Sequence, residues 1–240
     1  MTEALFRDDA YLADCTAIVT AVTRTDTGTT VECDRTVFYA LGGGQPGDTG
    51  TLTRADGRRL AILDTRKGET PGTIQHWLGA DAEPPAVGES VQLALDWTRR
   101  HRHMRMHTAL HLLSAVIPAG VTGGSVSADK GRLDFDLPDQ RLDKADIEAR
   151  LNALIAGDHA VGTRWISDAE LDAQPELVKT LSVQPPRGQG RVRLVGIAGI
   201  DLQPCGGTHV ARTGEIGRIL VTKIEKKSTH NRRVILGFAD

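Results

Sequence analysis

Aromatic residues are scarce in this chain: Phe, Tyr and Trp fill 4% of its 240 positions. That argues against a platform of many stacked rings for single-stranded nucleic acid. Long apolar runs are missing as well. None reaches the ~18 residues that a membrane-spanning helix needs, so no membrane contact is expected. Cysteine occurs only at Cys15, Cys33 and Cys205. A small, odd count cannot build a disulfide framework and speaks against secretion. The N-terminal residues Met1-Thr2-Glu3-Ala4-Leu5-Phe6-Arg7 lack the basic-then-apolar order of a signal peptide. A cytoplasmic protein is the expectation.

What is present is ordinary in bulk: 40% hydrophobic and 25% charged residues, enough for a sizeable core. The net charge of −2 hides a polarity. Residues 1–96 carry 8 Lys/Arg against 15 Asp/Glu, and residues 97–240 carry 21 against 16. Two units are suggested, and a polyanion should meet the second. Plain scatter of solvated charge would produce the same asymmetry.

The local patterns divide at the same place. Residues 15–23 and 29–36 are β-branched runs joined by Asp26-Thr27-Gly28, a hairpin signal. Residues 51–54 and 58–64 flank Asp56-Gly57, a strong two-residue turn. Residues 90–97 alternate Val91, Leu93, Leu95 and Trp97 with polar neighbours, as a half-buried strand does. Short strands with turn chemistry between them predict a small β-barrel or sandwich over 1–96.

After Trp97 the period changes. Residues 99–116 contain no Gly or Pro, and Pro118 and Gly120 supply the stop, so this is a helix. Residues 143–156 form a second, with Asp143 as N-cap and Ile147, Leu151, Leu154 and Ile155 on one stripe. Strands are predicted over 132–137, 191–197, 217–223 and 232–238. Short helical pieces broken by Pro175 lie between 167 and 180. The class is α+β: a small N-terminal β-barrel domain over 1–96, then a mixed domain with an antiparallel sheet over 97–240.

Four residues carry the chemistry: His107 and His111, then Cys205 and His209. On a helix, i and i+4 put both rings of the first pair on one face. His103 extends the ladder backwards, so spacing alone also allows a His103/His107 pair. In Pro204-Cys205-Gly206-Gly207-Thr208-His209 two glycines disfavour a helix and suit a tight turn. That turn brings a thiolate and an imidazole to one point, with backbone N–H groups of Gly206 and Gly207 nearby. Three nitrogens and one sulfur suit a single zinc ion. Four protein ligands would close its shell, and an open position would permit catalysis.

Two further motifs stand out. Residues 42–50 hold five glycines around Gln45 but no Walker lysine, which leaves an elaborate turn or a loop approaching a ligand. Lys223, Lys226, Lys227, Arg232 and Arg233 surround Ser228-Thr229-His230-Asn231, a hairpin tip suited to solvent or to phosphate.

These pieces, in this order, resemble the editing domain of alanyl-tRNA synthetase, and most closely the free-standing AlaX family in its medium-length class. The similar segments are 36–50 (TVFYALGGGQPGDTG), 105–116 (RMHTALHLLSAV), 123–136 (GGSVSADKGRLDFD) and 205–217 (CGGTHVARTGEIG), followed by Asn231-Arg232-Arg233. Ala40-Leu41 departs from the proline that often follows Phe-Tyr in that family. The resemblance implies hydrolysis of the ester in tRNA(Ala) mischarged with serine, and in some members glycine. It implies His107, His111, Cys205 and His209 as the zinc positions, in place of His103. It implies Gln45, Gly206 and His209 in catalysis, and Gln45, Ser125, Ser127 and Thr208 around the substrate. The basic tip would touch tRNA. A tRNA-binding module with structural zinc, or a deacylase for another mischarged tRNA, are the competing expectations, and a monomer is slightly favoured.

Overall fold

The computed structural model describes residues 1–25, 28–138, 141–181 and 190–239. Asp26 and Thr27 of the first predicted hairpin turn lie outside them. The chain divides into two compact units, Met1–His101 and Arg102–Asp240.

The first unit is a closed barrel. Its elements are β1 (Glu3–Ala4), β2 (Asp14–Thr25), β3 (Gly28–Cys33), β4 (Arg35–Thr36), β5 (Gly50–Thr53), β6 (Arg59–Lys67), β7 (Ile74–Leu78) and β8 (Ser90–Leu95). Six strands close in the order β2-β3-β7-β6-β5-β8, while β1 and β4 form a short parallel pair. Alternation explains the closure: Val91, Leu93 and Leu95 of β8 point inward with Val19, Val31, Leu52, Ile62 and Leu78. Trp97, expected at the end of β8, instead opens helix α1 (Trp97–Val116). Asp96 is the reason: its carboxylate accepts the Arg99 N–H at 3.0 Å, an N-cap that starts the helix two residues early.

The glycine-rich stretch is an ordered turn packed on the barrel. Gly42 and Gln45 exchange backbone hydrogen bonds of 3.1 and 2.9 Å, with Gly43 and Gly44 at φ 55° and 79°. Asp48 ties both ends. Its carboxylate accepts the Tyr39 N–H at 2.6 Å, and its own N–H donates to the Tyr39 carbonyl at 2.9 Å. At Gly47 a Cβ would lie 2.0 Å from the Thr65 carbonyl oxygen, so only glycine fits. Gly47→Ala should destabilise the protein by ~1–3 kcal/mol through overpacking. Gly79→Ala, where a Cβ meets nothing within 4 Å, should cost far less in the same thermal melts.

The second unit holds two antiparallel sheets. Its remaining elements are β9 (Val121–Val126), β10 (Lys130–Asp136), α2 (Lys144–Ala156), β11 (Val161–Ser167), α3 (Asp168–Asp172), β12 (Arg191–Ile197), β13 (Asp201–Pro204), β14 (Ile219–Lys226) and β15 (Asn231–Phe238). One sheet runs β14-β15-β10-β9 and the other β11-β12-β13. As predicted, Asp143 caps α2, accepting from the N–H groups of Ala145 and Asp146. Ile147, Leu151 and Ile155 are its buried stripe, with Leu154 at the half-buried margin.

Helix α1 packs on the four-stranded sheet. Gly131 of β10 sits under Met106 and Leu110, where any Cβ would collide with the Met106 side chain. Residues facing each other in an antiparallel ladder share a side of the sheet. Gly131, Leu133 and Phe135 therefore face the helix, whereas Arg132, Asp134 and their partners Ser125, Gly123 and Arg233 face away. No helix among the described residues is long and apolar enough to cross a membrane.

Candidate metal centre

Helix α1 supplies the first pair of ligand candidates. His107 and His111 lie one turn apart with ring centroids separated by 5.4 Å. The His209 ring comes within 4.4 Å of the first and 4.6 Å of the second. Cys205 directly follows β13, and its Sγ stands 3.3 Å from His209 Nε2 and 3.6 Å from His107 Nε2. One ligand atom from each of the four side chains falls within 4.8 Å of all the others, so the group could hold one metal ion. His103 lies one turn earlier, buried, and is not in this group.

The Cys-Gly-Gly turn is held in place by a buried cation. Arg193 on β12 donates from one Nη to the carbonyls of Cys205 and Gly207, both at 2.9 Å. The Gly207 N–H turns back onto Cys205 Sγ at 3.4 Å. Gly206 lies on the exposed side of the turn, and Thr208 is fully buried beneath it. Burial opposes ionisation of the Cys205 thiol. The charges of His107 and His209 outweigh it and hold the thiol well below its ordinary value. Burial, reinforced by His107, pushes His209 down to about 3. Burial opposes a charge on His111 as well, but Asp201 and Cys205 outweigh it and hold that ring up at about 9. A metal at this site would displace a proton from His111, while Cys205 is already set to bind as thiolate.

Hydrogen bonds behind the rings select the tautomers. The Thr108 hydroxyl lies 2.9 Å from the Met104 carbonyl, which can only accept, so its proton goes there. Its oxygen then accepts from His209 Nδ1 at 3.2 Å, leaving Nε2 bare toward Cys205. Asp201 does the same for His111, with 3.0 Å from Oδ2 to Nδ1. The sequence reading passed over Asp201, Thr108 and Arg193. A signal existed for the first: Asp201, Gln203 and Cys205 occur at i, i+2 and i+4, one face of a strand.

The other candidates fall in different places. Gln45 is buried within the first unit, in the Gly42–Gln45 turn. Ser127 both donates to the Lys130 carbonyl at 2.9 Å and accepts from the Lys130 N–H at 3.2 Å, closing the β9–β10 turn. Ser125 is half-buried on the sheet face that α1 does not cover.

The basic hairpin exists, but its arginines are engaged. Arg233 makes a two-pronged pair with Asp134 at 2.7 and 2.9 Å, and Arg132 binds the same carboxylate. Arg232 is buried and donates to the carbonyls of Ser228 and Asn231. Lys223, Lys226 and Lys227 are exposed, the first and last beside Glu225. Exposed pairs of that kind contribute ~0–1 kcal/mol, so these lysines can exchange partners readily.

Residues 192–235 match the threonyl and alanyl tRNA synthetase second additional domain, and residues 9–99 match the class II (A) tRNA synthetases. The chain is 38% identical to the alanyl-tRNA editing protein AlaX-M of Methanosarcina mazei, over 100% of its own length and 98% of the relative's. It is equally 38% identical to AlaX-M of Methanosarcina acetivorans, over 100% of both. To AlaX-L of Pyrococcus horikoshii it is 34% identical, over 98% of its own length and 57% of the relative's. With such identity running from end to end, the chain belongs to the AlaX family and is similar along its whole length to the medium-length AlaX-M members.

Proposed function

We propose that this protein edits tRNA(Ala) by hydrolysing the ester of a wrongly attached amino acid, chiefly serine and also glycine. The observation that carries this reading is the convergence of His107, His111, Cys205 and His209 in a chain of the AlaX family. The donor set fits zinc, one ion per chain: three imidazole nitrogens, one lowered thiol, and two rings with the far nitrogen already occupied. A bound zinc would supply positive charge beside the ester or its amino group.

The protein's own groups do the rest. Thr108 holds the ring of His209 so that its Nε2 faces the cluster. Gly206, on the open side of its turn, offers a backbone N–H and no side chain to obstruct a carbonyl. Water is the attacking species. Selectivity follows from size and hydrogen bonding. An aminoacylation site that admits alanine excludes serine poorly, so a second pocket that binds the serine hydroxyl spares alanyl-tRNA. The hydroxyl candidates for that contact are Ser125 and Ser127; Ser127 already serves its own turn, and Ser125 lies on the sheet face turned away from α1. Lys223, Lys226 and Lys227 supply the tRNA contacts.

A closed four-ligand shell is also the usual pattern of a structural metal, which favours a second reading: a tRNA-binding module without turnover. Single-turnover deacylation separates the two. Serine released from Ser-tRNA(Ala) well above the buffer rate supports editing. Bound tRNA with no faster release rejects it.

A further inference from the structure

Behind His111 lies a closed polar network that the proposed reaction does not itself require. Asp201, whose side chain is 0% exposed, is its hub. Oδ2 receives His111 Nδ1 at 3.0 Å and Gln203 Nε2 at 2.7 Å, while Oδ1 receives the Lys179 ammonium. Gln203 Nε2 also reaches Ser114 Oγ at 3.1 Å, and Ser114 gives its proton to the His111 carbonyl at 2.9 Å. Lys179 is fixed by its backbone, whose carbonyl accepts the Val121 N–H at 2.9 Å along the edge of β9.

The directions of these bonds follow from the groups. A carboxylate can only accept, and an ammonium can only donate. Ser114 has spent its one proton on a carbonyl, so its oxygen accepts from Gln203. The second amide hydrogen of Gln203 goes to Asp201 Oδ2. If His111 Nδ1 were bare, its lone pair would face the carboxylate at 3.0 Å; Gln203 Nε2 also lies 3.1 Å from Nδ1, but its two hydrogens are already directed at Ser114 and Asp201. The proton therefore sits on Nδ1, and the Nε2 lone pair is the one left for the cluster.

We propose that Asp201 and Lys179 are positioning residues: Asp201 selects the tautomer and orientation of His111 for the metal, and Lys179 anchors Asp201. This rests on the metal-site reading above. Partners of this kind contribute about 10–100-fold to metal affinity in other sites. Asp201→Asn replaces an obligate acceptor by a group that can present N–H to Nδ1, which turns the wrong nitrogen toward the cluster. Lys179 is 28% exposed, so Lys179→Met leaves the core intact.

The test is zinc affinity of the full chain, by competition with a chromophoric chelator, for wild type and four variants. Asp201→Asn should bind about 10–100-fold more weakly, and Lys179→Met should lose affinity in the same direction by less. Val192→Ala, which removes buried volume from the apolar cluster of Leu171, Leu177 and Leu194 on the opposite face of the same sheet from Gln203, should lower the melting temperature and keep wild-type affinity. His111→Ala should lose most binding. In the zinc-loaded wild type, long-range 1H–15N spectra should place the His111 proton on Nδ1. Wild-type affinity in both Asp201→Asn and Lys179→Met overturns the positioning role while leaving the metal site standing. A Val192→Ala loss equal to that of Asp201→Asn overturns it too, because the effect is then only packing. No zinc binding by wild type, or none lost in His111→Ala, sinks the metal reading and this one with it. If Asp201→Asn fails to fold, Lys179→Met and the spectrum decide.

Discussion

Replacing Cys205 by alanine should abolish zinc binding and deacylation together. Sγ is the one sulfur of the quartet and lies within 3.6 Å of two of its imidazoles. Its negative charge offsets the +2 of the ion in a buried setting where uncompensated charge is costly. Outer partners of metal ligands are themselves worth about 10–100-fold in affinity, so loss of a ligand should exceed ~100-fold. Release of serine should then fall to the buffer rate. His103→Gln, outside the group, should keep both properties. Full zinc content and full activity in Cys205→Ala would contradict the ligand assignment, and full activity without zinc would make the metal structural.

The second large effect concerns stability. Arg100 and Asp48 form an ion pair with side chains 0% and 2% exposed. The guanidinium also donates to the carbonyls of Val37 at 2.7 Å and Ala10 at 3.0 Å. Asp48→Ala leaves that cation buried without its counter-charge, a loss of ~3–5 kcal/mol. For a unit of this size the melting temperature should fall by more than ~10 °C. Asp48→Ala combined with Arg100→Met should recover part of the loss, since no unpaired charge remains. The exposed pair Arg35–Glu3, at 48% and 56%, is the control: breaking it should change stability by less than ~1 kcal/mol. An Asp48→Ala protein as stable as wild type would mean that the pair does not hold the glycine-rich turn to the barrel.

How much of this was legible depended on how local each signal was. The barrel showed itself through period-2 alternation in β8 and through Asp56-Gly57. The strand β7 did not, because Ile74-Gln75-His76-Trp77-Leu78 carries a histidine on the inward face. That histidine is satisfied by the Thr36 hydroxyl at 2.8 Å and the Val31 carbonyl at 3.0 Å, contacts that no sequence window contains. Burial holds it neutral, its pKa pushed down to about 4. Strand β9 hid behind Gly123-Gly124, and β13 behind its four-residue length. In the cluster, the two pairs were readable from spacing. Their support was not: Arg193, Thr108 and Asp201 act through bonds spanning from 12 to 101 residues. The arginines of the basic tip misled for the same reason, since Asp134 stands 99 residues from Arg233.

One measurement bears most directly on the account: deacylation of Ser-tRNA(Ala) and Ala-tRNA(Ala) by metal-stripped protein and by the same protein reloaded with zinc. The reloaded protein should release serine far above the buffer rate and leave alanyl-tRNA intact, while the stripped protein should hydrolyse neither substrate faster than buffer. Equal rates with and without zinc, or no release of serine by the reloaded protein, would contradict it.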